Sequence, residues 1–193
     1  MEISSFENQM KYLSENNYYF PTWDEVVDYI DGKIDLPEKS IVITVDDGDN
    51  SFFRLAVPVI NKYNVKATSF IVTTWTGKDT VDEYKSDKID FQSHSNDMHS
   101  AGANGKGKFV NYSYEQGVED VEASAQVTET KDAFCYPFGH FNDTAKNVLK
   151  DTGYKLAFTT QGGRVKPGQD KYQLPRVRMS KGISLNSFIN SVS

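Results

Sequence analysis

The sequence predicts an α/β protein with a mostly parallel sheet or barrel, because strand-like apolar runs alternate with helical segments along the whole chain. With 193 residues the chain is long enough for one well-buried domain and short for two. No internal repeat, low-complexity tract or linker rich in proline or serine divides it. We therefore expect a single domain over residues 1–193. Because Met1 leads straight into a predicted helix, the possibility that residues are missing from the N-terminus stays open.

Helices are predicted where capping signals precede apolar residues at helical spacing. Ser4 with Glu7, and Thr22 with Glu25, both have the spacing of a capping box. Gly32 ends the second of these helices, because glycine readily adopts the left-handed conformation that follows many helices. In chain order, the predicted helices cover residues 4–17, 22–32, 52–63, 113–130, 143–151 and 185–192.

Strands are predicted at short apolar runs that are rich in β-branched and aromatic side chains. The run Ile41-Val42-Ile43 is typical of a buried strand. Residues 162–171 are rich in glycine, lysine and glutamine, which indicates a surface loop. In chain order, the predicted strands cover residues 40–45, 67–74, 89–92, 133–136, 156–160 and 174–179.

Three loops that follow predicted strands carry the side chains suited to catalysis. They are Asp46-Asp47-Gly48, the segment from His94 to His99, and the turn Tyr136-Pro137-Phe138-Gly139. In open α/β folds and barrels, the loops beyond the carboxyl ends of the strands meet on one face and hold the active site. We therefore expect these three loops to form a single site.

The residue types in these loops predict a metal-dependent hydrolase. Asp47, His94 and His99 can hold a borderline metal such as zinc and leave open positions for water. Hydrolysis of an amide also needs a base for the proton of water and a donor for the oxyanion. Asp46 can act as that base, and the backbone amide of Phe138 can act as that donor.

The overall composition narrows the class of partner. Lys and Arg total 21 against 27 acids, so the net charge is 21 − 27 = −6. This argues against a nucleic acid, whose binders carry clustered positive charge. The single cysteine, Cys135, excludes an internal disulfide framework and a cysteine-rich metal site. The chain contains no signal peptide and no stretch near the roughly 20 apolar residues that cross a bilayer.

The motifs together resemble the NodB-type polysaccharide deacetylases, carbohydrate esterase family 4. The resemblance rests on the segment 44–48 (Thr-Val-Asp-Asp-Gly), on His94 with His99, and on the segment 136–139 (Tyr-Pro-Phe-Gly), in that order. The segments 6–13 and 174–176, together with the five-residue histidine spacing, are more specifically similar to the poly-N-acetylglucosamine deacetylase branch. This likeness covers essentially the whole chain.

The resemblance implies a distorted, incomplete (β/α) barrel that binds Zn²⁺, or else Co²⁺, Ni²⁺ or Mn²⁺. It implies that Asp47, His94 and His99 bind the metal, that Asp46 is the catalytic base, and that Ser95 braces the histidine loop. The implied reaction removes N-acetyl groups from N-acetylglucosamine units of a bacterial surface polysaccharide or peptidoglycan. We therefore expect an extracellular or cell-surface monomer whose partner is that polysaccharide.

Two departures from the family pattern bear on the site. The family has an arginine two residues before the proline of the third motif, where this chain has Cys135. We expect Arg176, on the last predicted strand, to orient Asp46 instead, and Arg178 points to the same face by strand alternation. The late histidine that protonates the leaving amine in the family is absent, and His140 is a weak substitute for it.

Several other functions stay open at the level of sequence. A glycan-binding protein would keep the metal without releasing acetate, and an O-acetyl esterase would depend less on a strong acid, because an alkoxide leaves more easily than an amine. A receiver-like phosphoryl-transfer domain would hold magnesium, which prefers oxygen ligands and has no use for paired histidines. Trp75 and Tyr84 could stack on sugar rings, but core packing is the commoner fate of such aromatic residues, so both are left out of the predicted site.

Overall fold

Six parallel strands form one curled sheet in the computed structural model, which describes residues 2–193. The strands follow each other across the sheet in chain order, so each connection leads to the neighbouring strand. This half-barrel with its helices confirms the incomplete (β/α) barrel predicted from the sequence. The strands are β1 (Ile43–Asp47), β2 (Ala67–Ile71), β3 (Ile89–Ser93), β4 (Ala133–Cys135), β5 (Leu156–Gly162) and β6 (Leu174–Arg176).

Seven α-helices accompany the sheet in the part of the chain that the structure describes. A π-helical turn, Phe52–Ala56, leads into the third helix, and such turns often occur beside functional sites. No helix within residues 2–193 is both long and apolar enough to span a membrane. The helices are α1 (Ile3–Glu15), α2 (Trp23–Ile30), α3 (Val57–Tyr63), α4 (Lys78–Tyr84), α5 (Tyr114–Thr128), α6 (Asp143–Asp151) and α7 (Leu185–Val192).

The two faces of the sheet bury different sets of apolar side chains, because successive strand residues point to opposite faces. On the inner face, α2 packs against side chains from β2, β4, β5 and β6. On the outer face, α1, α3 and α7 cover the first half of the sheet, whereas α5 and α6 cover the second half. The strand β4 shows the alternation directly: Ala133 and Cys135 lie in the inner cluster, and Phe134 lies in the outer one.

The edges of the half-barrel, β1 and β6, are joined by a side chain instead of a strand ladder. Arg176 donates from Nη1 to Thr44 Oγ1 at 3.2 Å and to Asp46 Oδ1 at 2.7 Å. The same side chain donates from Nε to the Thr159 carbonyl of β5 at 3.1 Å. Arg176 therefore connects both edges of the sheet at the end where β1 stops.

The helix starts show which capping predictions were right. The box of Thr22 and Glu25 at the start of α2 is confirmed, since each side chain bonds the backbone of the other residue. The box of Ser4 and Glu7 is wrong, because α1 already begins at Ile3 and its N-cap residue, Glu2, makes no side-chain capping bond. Ser4 thus lies inside the first turn, where its hydroxyl does not cap the helix.

Two element predictions also differ from the structure. The helix α4 was not predicted, because Val81 is its one buried residue and the segment lacks an apolar stripe. The strand β6 ends at Arg176 and not at Met179, so the alternation argument for Arg178 does not apply. Arg178 lies on the exposed stretch beyond the strand.

Candidate functional site

The acidic loop begins where the backbone of β1 changes conformation. The first strand runs two residues further than the predicted 40–45, so Asp46 and Asp47 are its last two residues, and Asp47 has a φ of 79° and Gly48 a φ of 72°. A side chain at position 48 would be impossible without movement, because its Cβ would lie 2.6 Å from Thr76 Oγ1 and 2.8 Å from Ile71 Cγ2. Thr76 donates from that hydroxyl to the Gly48 carbonyl at 2.9 Å. The loop is therefore held tightly against the segment that follows β2.

The two histidines of the second loop converge on Asp47. Nε2 of His94 lies 3.4 Å from Asp47 Oδ1, and Nε2 of His99 lies 3.3 Å from the same oxygen. The His94 side chain is buried at 2 % exposure, and its Nδ1 lies 2.6 Å from the Cys135 carbonyl oxygen. Donation from Nδ1–H to that oxygen fixes the ring with Nε2 directed at Asp47, so that Nε2 becomes the metal-binding nitrogen once it has lost its proton.

Two side chains, Ser95 and Asp120, hold the loop between these histidines in place through hydrogen bonds to its backbone. Ser95, with a φ of 80°, accepts a hydrogen bond on its hydroxyl from Met98 N–H at 3.1 Å. Asp120 of α5 accepts from the backbone N–H groups of Asn96 and Asp97, both at 2.8 Å. Two consecutive backbone donors on one buried carboxylate hold the loop in a single conformation.

The donor atoms of Asp47, His94 and His99 fit a divalent metal of the zinc type. Their ligand atoms all lie within 4.8 Å of one another. Two imidazole nitrogens and one carboxylate oxygen match the ligands of catalytic zinc sites, which keep a position open for water. Burial disfavours a charge on His94, yet its contacts with Cys135 and the Asp47 carboxylate raise the pKa of its imidazole to about 10, so a metal has to displace a proton from this ring.

A second group of possible ligands, Asp46 with His94 and Cys135, fits a metal less well. Arg176 donates from Nη2 to Cys135 Sγ at 3.1 Å, so a guanidinium cation already lies against this group. Burial raises the pKa of the Cys135 thiol, which keeps it protonated and unsuited to metal binding. Of these two groups, the one around Asp47 is therefore the better fit for the expected ion.

Asp46 forms a two-pronged ion pair with Arg176. Nη1 and Nη2 of the arginine donate to Oδ1 and Oδ2 of the carboxylate, each at 2.7 Å. Burial raises the pKa of Asp46, but the hydrogen bonds and charge of Arg176 outweigh it and lower the pKa. The carboxylate is consequently ionised and fixed in orientation.

The third loop brings the aromatic ring of Phe138 close to His99. Phe138 has a φ of 59°, and its ring centroid lies 4.4 Å from that of His99. The neighbouring Gly139 and His140 N–H groups close the turn by donating to the Tyr136 and Pro137 carbonyls. The Phe138 amide takes no part in those two bonds.

The sequence of the chain is similar to those of several known proteins. The family model "Polysaccharide deacetylase" matches residues 33–157. The poly-β-1,6-N-acetyl-D-glucosamine N-deacetylase of Staphylococcus aureus (strain MRSA252) is 29 % identical over 92 % of this chain and 67 % of its own length. The enzyme of the same name from Staphylococcus epidermidis (strain RP62A) is 30 % identical over 91 % of this chain and 66 % of its own length. The chain thus spans about two thirds of these relatives.

This chain belongs to the polysaccharide deacetylase family. Solved structures show the same fold. The Streptococcus pyogenes deacetylase PplD has a TM-score of 0.87 at 22 % identity, covering 99 % of this chain and 87 % of its own. IcaB from Ammonifex degensii has a TM-score of 0.81 at 25 % identity, covering 100 % of this chain and 88 % of its own.

Within this family, the chain departs from the pattern noted in the sequence in the source of the arginine beside its first aspartate. The family pattern noted in the sequence has that arginine where Cys135 stands here. In the structure, Arg176 reaches the same carboxylate from β6, and the Cys135 thiol donates to Asp46 Oδ2 at 3.6 Å. His140 is occupied elsewhere, because its Nδ1 accepts from the Gly107 N–H at 2.9 Å.

Some residues that support the candidate site were not predicted from the sequence. Asp120 lies more than 20 residues from the loop that it braces, and no local pattern points to it. Thr44, which contacts Arg176, belongs to the motif of residues 44–48, so its role in the site could have been predicted from the sequence. Of the two aromatic residues left out, Tyr84 packs against Phe53 in the core, whereas Trp75 lies beside His99.

Proposed function

We propose that this protein removes N-acetyl groups from N-acetylglucosamine units of a bacterial surface polysaccharide. One observation carries the proposal: a metal-type group of Asp47, His94 and His99 lies next to an aspartate, Asp46, that an arginine keeps ionised. The named relatives are poly-β-1,6-N-acetyl-D-glucosamine N-deacetylases, which supports that polymer as the substrate. Because such a polymer lies outside the cell, we propose an extracellular or cell-surface location.

Asp47, His94 and His99 would hold the metal. When bound, a zinc-type ion supplies Lewis-acid activation of water and of the acetyl carbonyl. The chain's own contribution is to fix the donors: the Cys135 carbonyl orients His94, and the ring of Phe138 packs against His99. Such outer contacts hold metal ligands in place before the ion arrives.

Asp46 would accept the proton of the attacking water. Oδ2 already accepts from Arg176 and from the Cys135 thiol, whereas Oδ1 accepts from Arg176 alone, which leaves a lone pair on Oδ1 for a water molecule. The guanidinium holds the carboxylate in one orientation and keeps it ionised until the proton arrives. The proton that Asp46 accepts would have to pass to the leaving nitrogen, and the reaction would then end with acetate and a free amine on the sugar.

The Phe138 amide would donate to the oxyanion that forms at the acetyl carbon. Phe138 has a left-handed φ, and the N–H groups of the two residues that follow it already donate to carbonyls within the turn. A backbone donor of this kind is rigid and stabilises charge only as it develops. Gly139 allows the turn, because a Cβ there would lie 2.2 Å from Thr160 Oγ1 and 2.6 Å from the Thr160 backbone nitrogen.

Acetate release from β-1,6-linked N-acetylglucosamine oligomers tests the proposal. We expect release that needs zinc, stops with a chelator and falls by at least about a hundred-fold in Asp46→Asn, because general-base catalysis contributes roughly 10²–10⁴-fold. Asp35→Asn is the matched control, since it removes the same charge from an exposed position before β1. This control should keep the full rate.

Three outcomes would contradict the proposal. Zinc bound through His94 and His99 without acetate release would favour a glycan-binding protein. Release from O-acetylated sugars alone would favour an esterase. Undiminished release in Asp46→Asn would remove Asp46 from the role of base.

A further inference from the structure

A cavity of about 290 Å³ opens beside Asp47. Its walls come from the acidic loop, from Phe53 at the start of the following helix, and from the segment 75–80 after β2. Its volume lies just below the roughly 300–1,000 Å³ that is typical of small-molecule sites, so the cavity is suited to a single sugar unit. Because Asp47 belongs to both, the cavity and the metal group are adjacent.

Trp75 forms an exposed aromatic wall of this cavity. Its side chain is 58 % exposed, although tryptophan is highly buried on average. Its ring centroid lies 5.3 Å from that of His99, with the rings at 72°. An exposed indole this close to the reacting centre provides an apolar face on which a pyranose ring can stack, with polar groups around it for the hydroxyls.

The charge of the cavity is negative. Asp47 and Asp49 are among its lining residues, which include no lysine or arginine. Asp49 is firmly positioned, because its Oδ1 accepts from the Ser51 N–H at 2.7 Å. Lys78, at the start of the adjoining helix α4, already pairs with Asp82 and Glu129. A metal bound to Asp47 would neutralise the charge of that carboxylate. Asp49 is then the acidic side chain of the cavity that can pair with a cation.

We propose that this cavity binds a glucosamine unit with a free, protonated amine, next to the unit that is being deacetylated. The inference rests on the proposed function, whose product is this kind of unit: loss of the acetyl group turns a neutral amide into an amine that is cationic at neutral pH. Trp75 stacks on the sugar ring and Asp49 pairs with the amine. Each deacetylated unit then strengthens binding for reaction at its neighbour.

Binding measurements test this without relying on catalysis. β-1,6-linked trimers of glucosamine and of N-acetylglucosamine are titrated by calorimetry into the full chain carrying Asp46→Asn and loaded with zinc, so that substrate is not consumed. We expect the glucosamine trimer to bind about two- to five-fold more tightly at low salt, as an exposed ion pair allows. Salt should reduce that preference, because it screens the pair.

Variants in the same background assign the effect to the cavity. Asp49→Asn should abolish the preference, whereas Asp35→Asn, an equal change of charge elsewhere, should keep it. Trp75→Ala should weaken binding of both trimers by about two- to ten-fold, and Trp75→Phe should restore most of it, since an aromatic face returns.

Equal binding of the two trimers, or a preference that survives in Asp49→Asn, would overturn the charge selection. Unchanged affinity in Trp75→Ala would show that the sugars bind outside this cavity. Both results are read from binding alone. A wild-type chain that binds as expected but releases no acetate would therefore overturn the proposed reaction and not this inference.

Discussion

At Asp46, neighbouring side chains determine what one carboxylate can do. Burial alone would raise its pKa and favour the neutral acid, which could not accept a proton. The guanidinium of Arg176, with two hydrogen bonds of 2.7 Å, reverses that effect. Cys135 fits beside this pair because a thiol is small and donates only weakly to the carboxylate.

Arg176→Lys should therefore lower kcat/KM by about ten- to a hundred-fold, because lysine cannot make two parallel bonds and loses a hydrogen bond between charged groups. The pH profile of kcat/KM should change as well. Activity falls as Asp46 is protonated, and weaker pairing raises its pKa, so the acid limb should move to higher pH. An acid limb that stays at the same pH would show that Arg176 does not control the ionisation of Asp46.

Arg178→Lys is the matched control for that substitution. Arg178 lies two residues further along, on the exposed stretch beyond β6. The same chemical change there should leave both the rate and the acid limb as they are in the unaltered chain.

Among the elements, the helix α5 supports the candidate metal site although it carries none of the proposed ligands. Its Asp120 holds the backbone between the two histidines, with two hydrogen bonds of 2.8 Å. We expect Asp120→Asn to weaken zinc binding by about ten-fold or more, because an amide group cannot accept both bonds as a carboxylate does and outer-shell losses typically cost 10–100-fold in affinity. Competition with a chelating dye measures the zinc Kd.

Glu119→Gln provides the control for α5, since it neutralises an exposed acid one residue away on the same helix. Its zinc Kd should match that of the unaltered chain. If Asp120→Asn kept the same Kd while remaining folded, the loop would be held by its other contacts, such as the bond from Met98 N–H to the Ser95 hydroxyl.

Elements were predictable from the sequence where their signals are local. The box at Thr22 and Glu25 acts within one turn, and it is confirmed. The helix α4 was missed because a single buried valine gives no periodicity. Within the candidate site, Asp46 and Asp47 stand out because they end a strand, and His94 and His99 because they follow one. The contact of Asp120 with the histidine loop arises only from packing α5 beneath β3, which no local pattern encodes.

For the whole molecule, the candidate site joins parts of the sheet that are distant in the chain. Asp47 is the last residue of β1, both histidines follow β3, and the carbonyl that orients His94 belongs to β4. The unfolded chain cannot bring these groups together at comparable affinity. Metal binding should consequently stabilise the folded state by mass action, as any ligand of the native state does.

Zinc at about 100 times its Kd should add roughly 2.7 kcal/mol to the free energy of unfolding. For a chain of this size, that corresponds to a rise in Tm of about 5–10 °C, measured by calorimetry with and without chelator. The rise should disappear in His99→Gln, which removes a ligand, and persist in His140→Gln, whose ring nitrogen accepts a loop N–H away from Asp47. It should also shrink at acidic pH, because the imidazoles must lose their protons to bind metal. An equal rise in His99→Gln would mean that zinc binds at a different place from the group around Asp47.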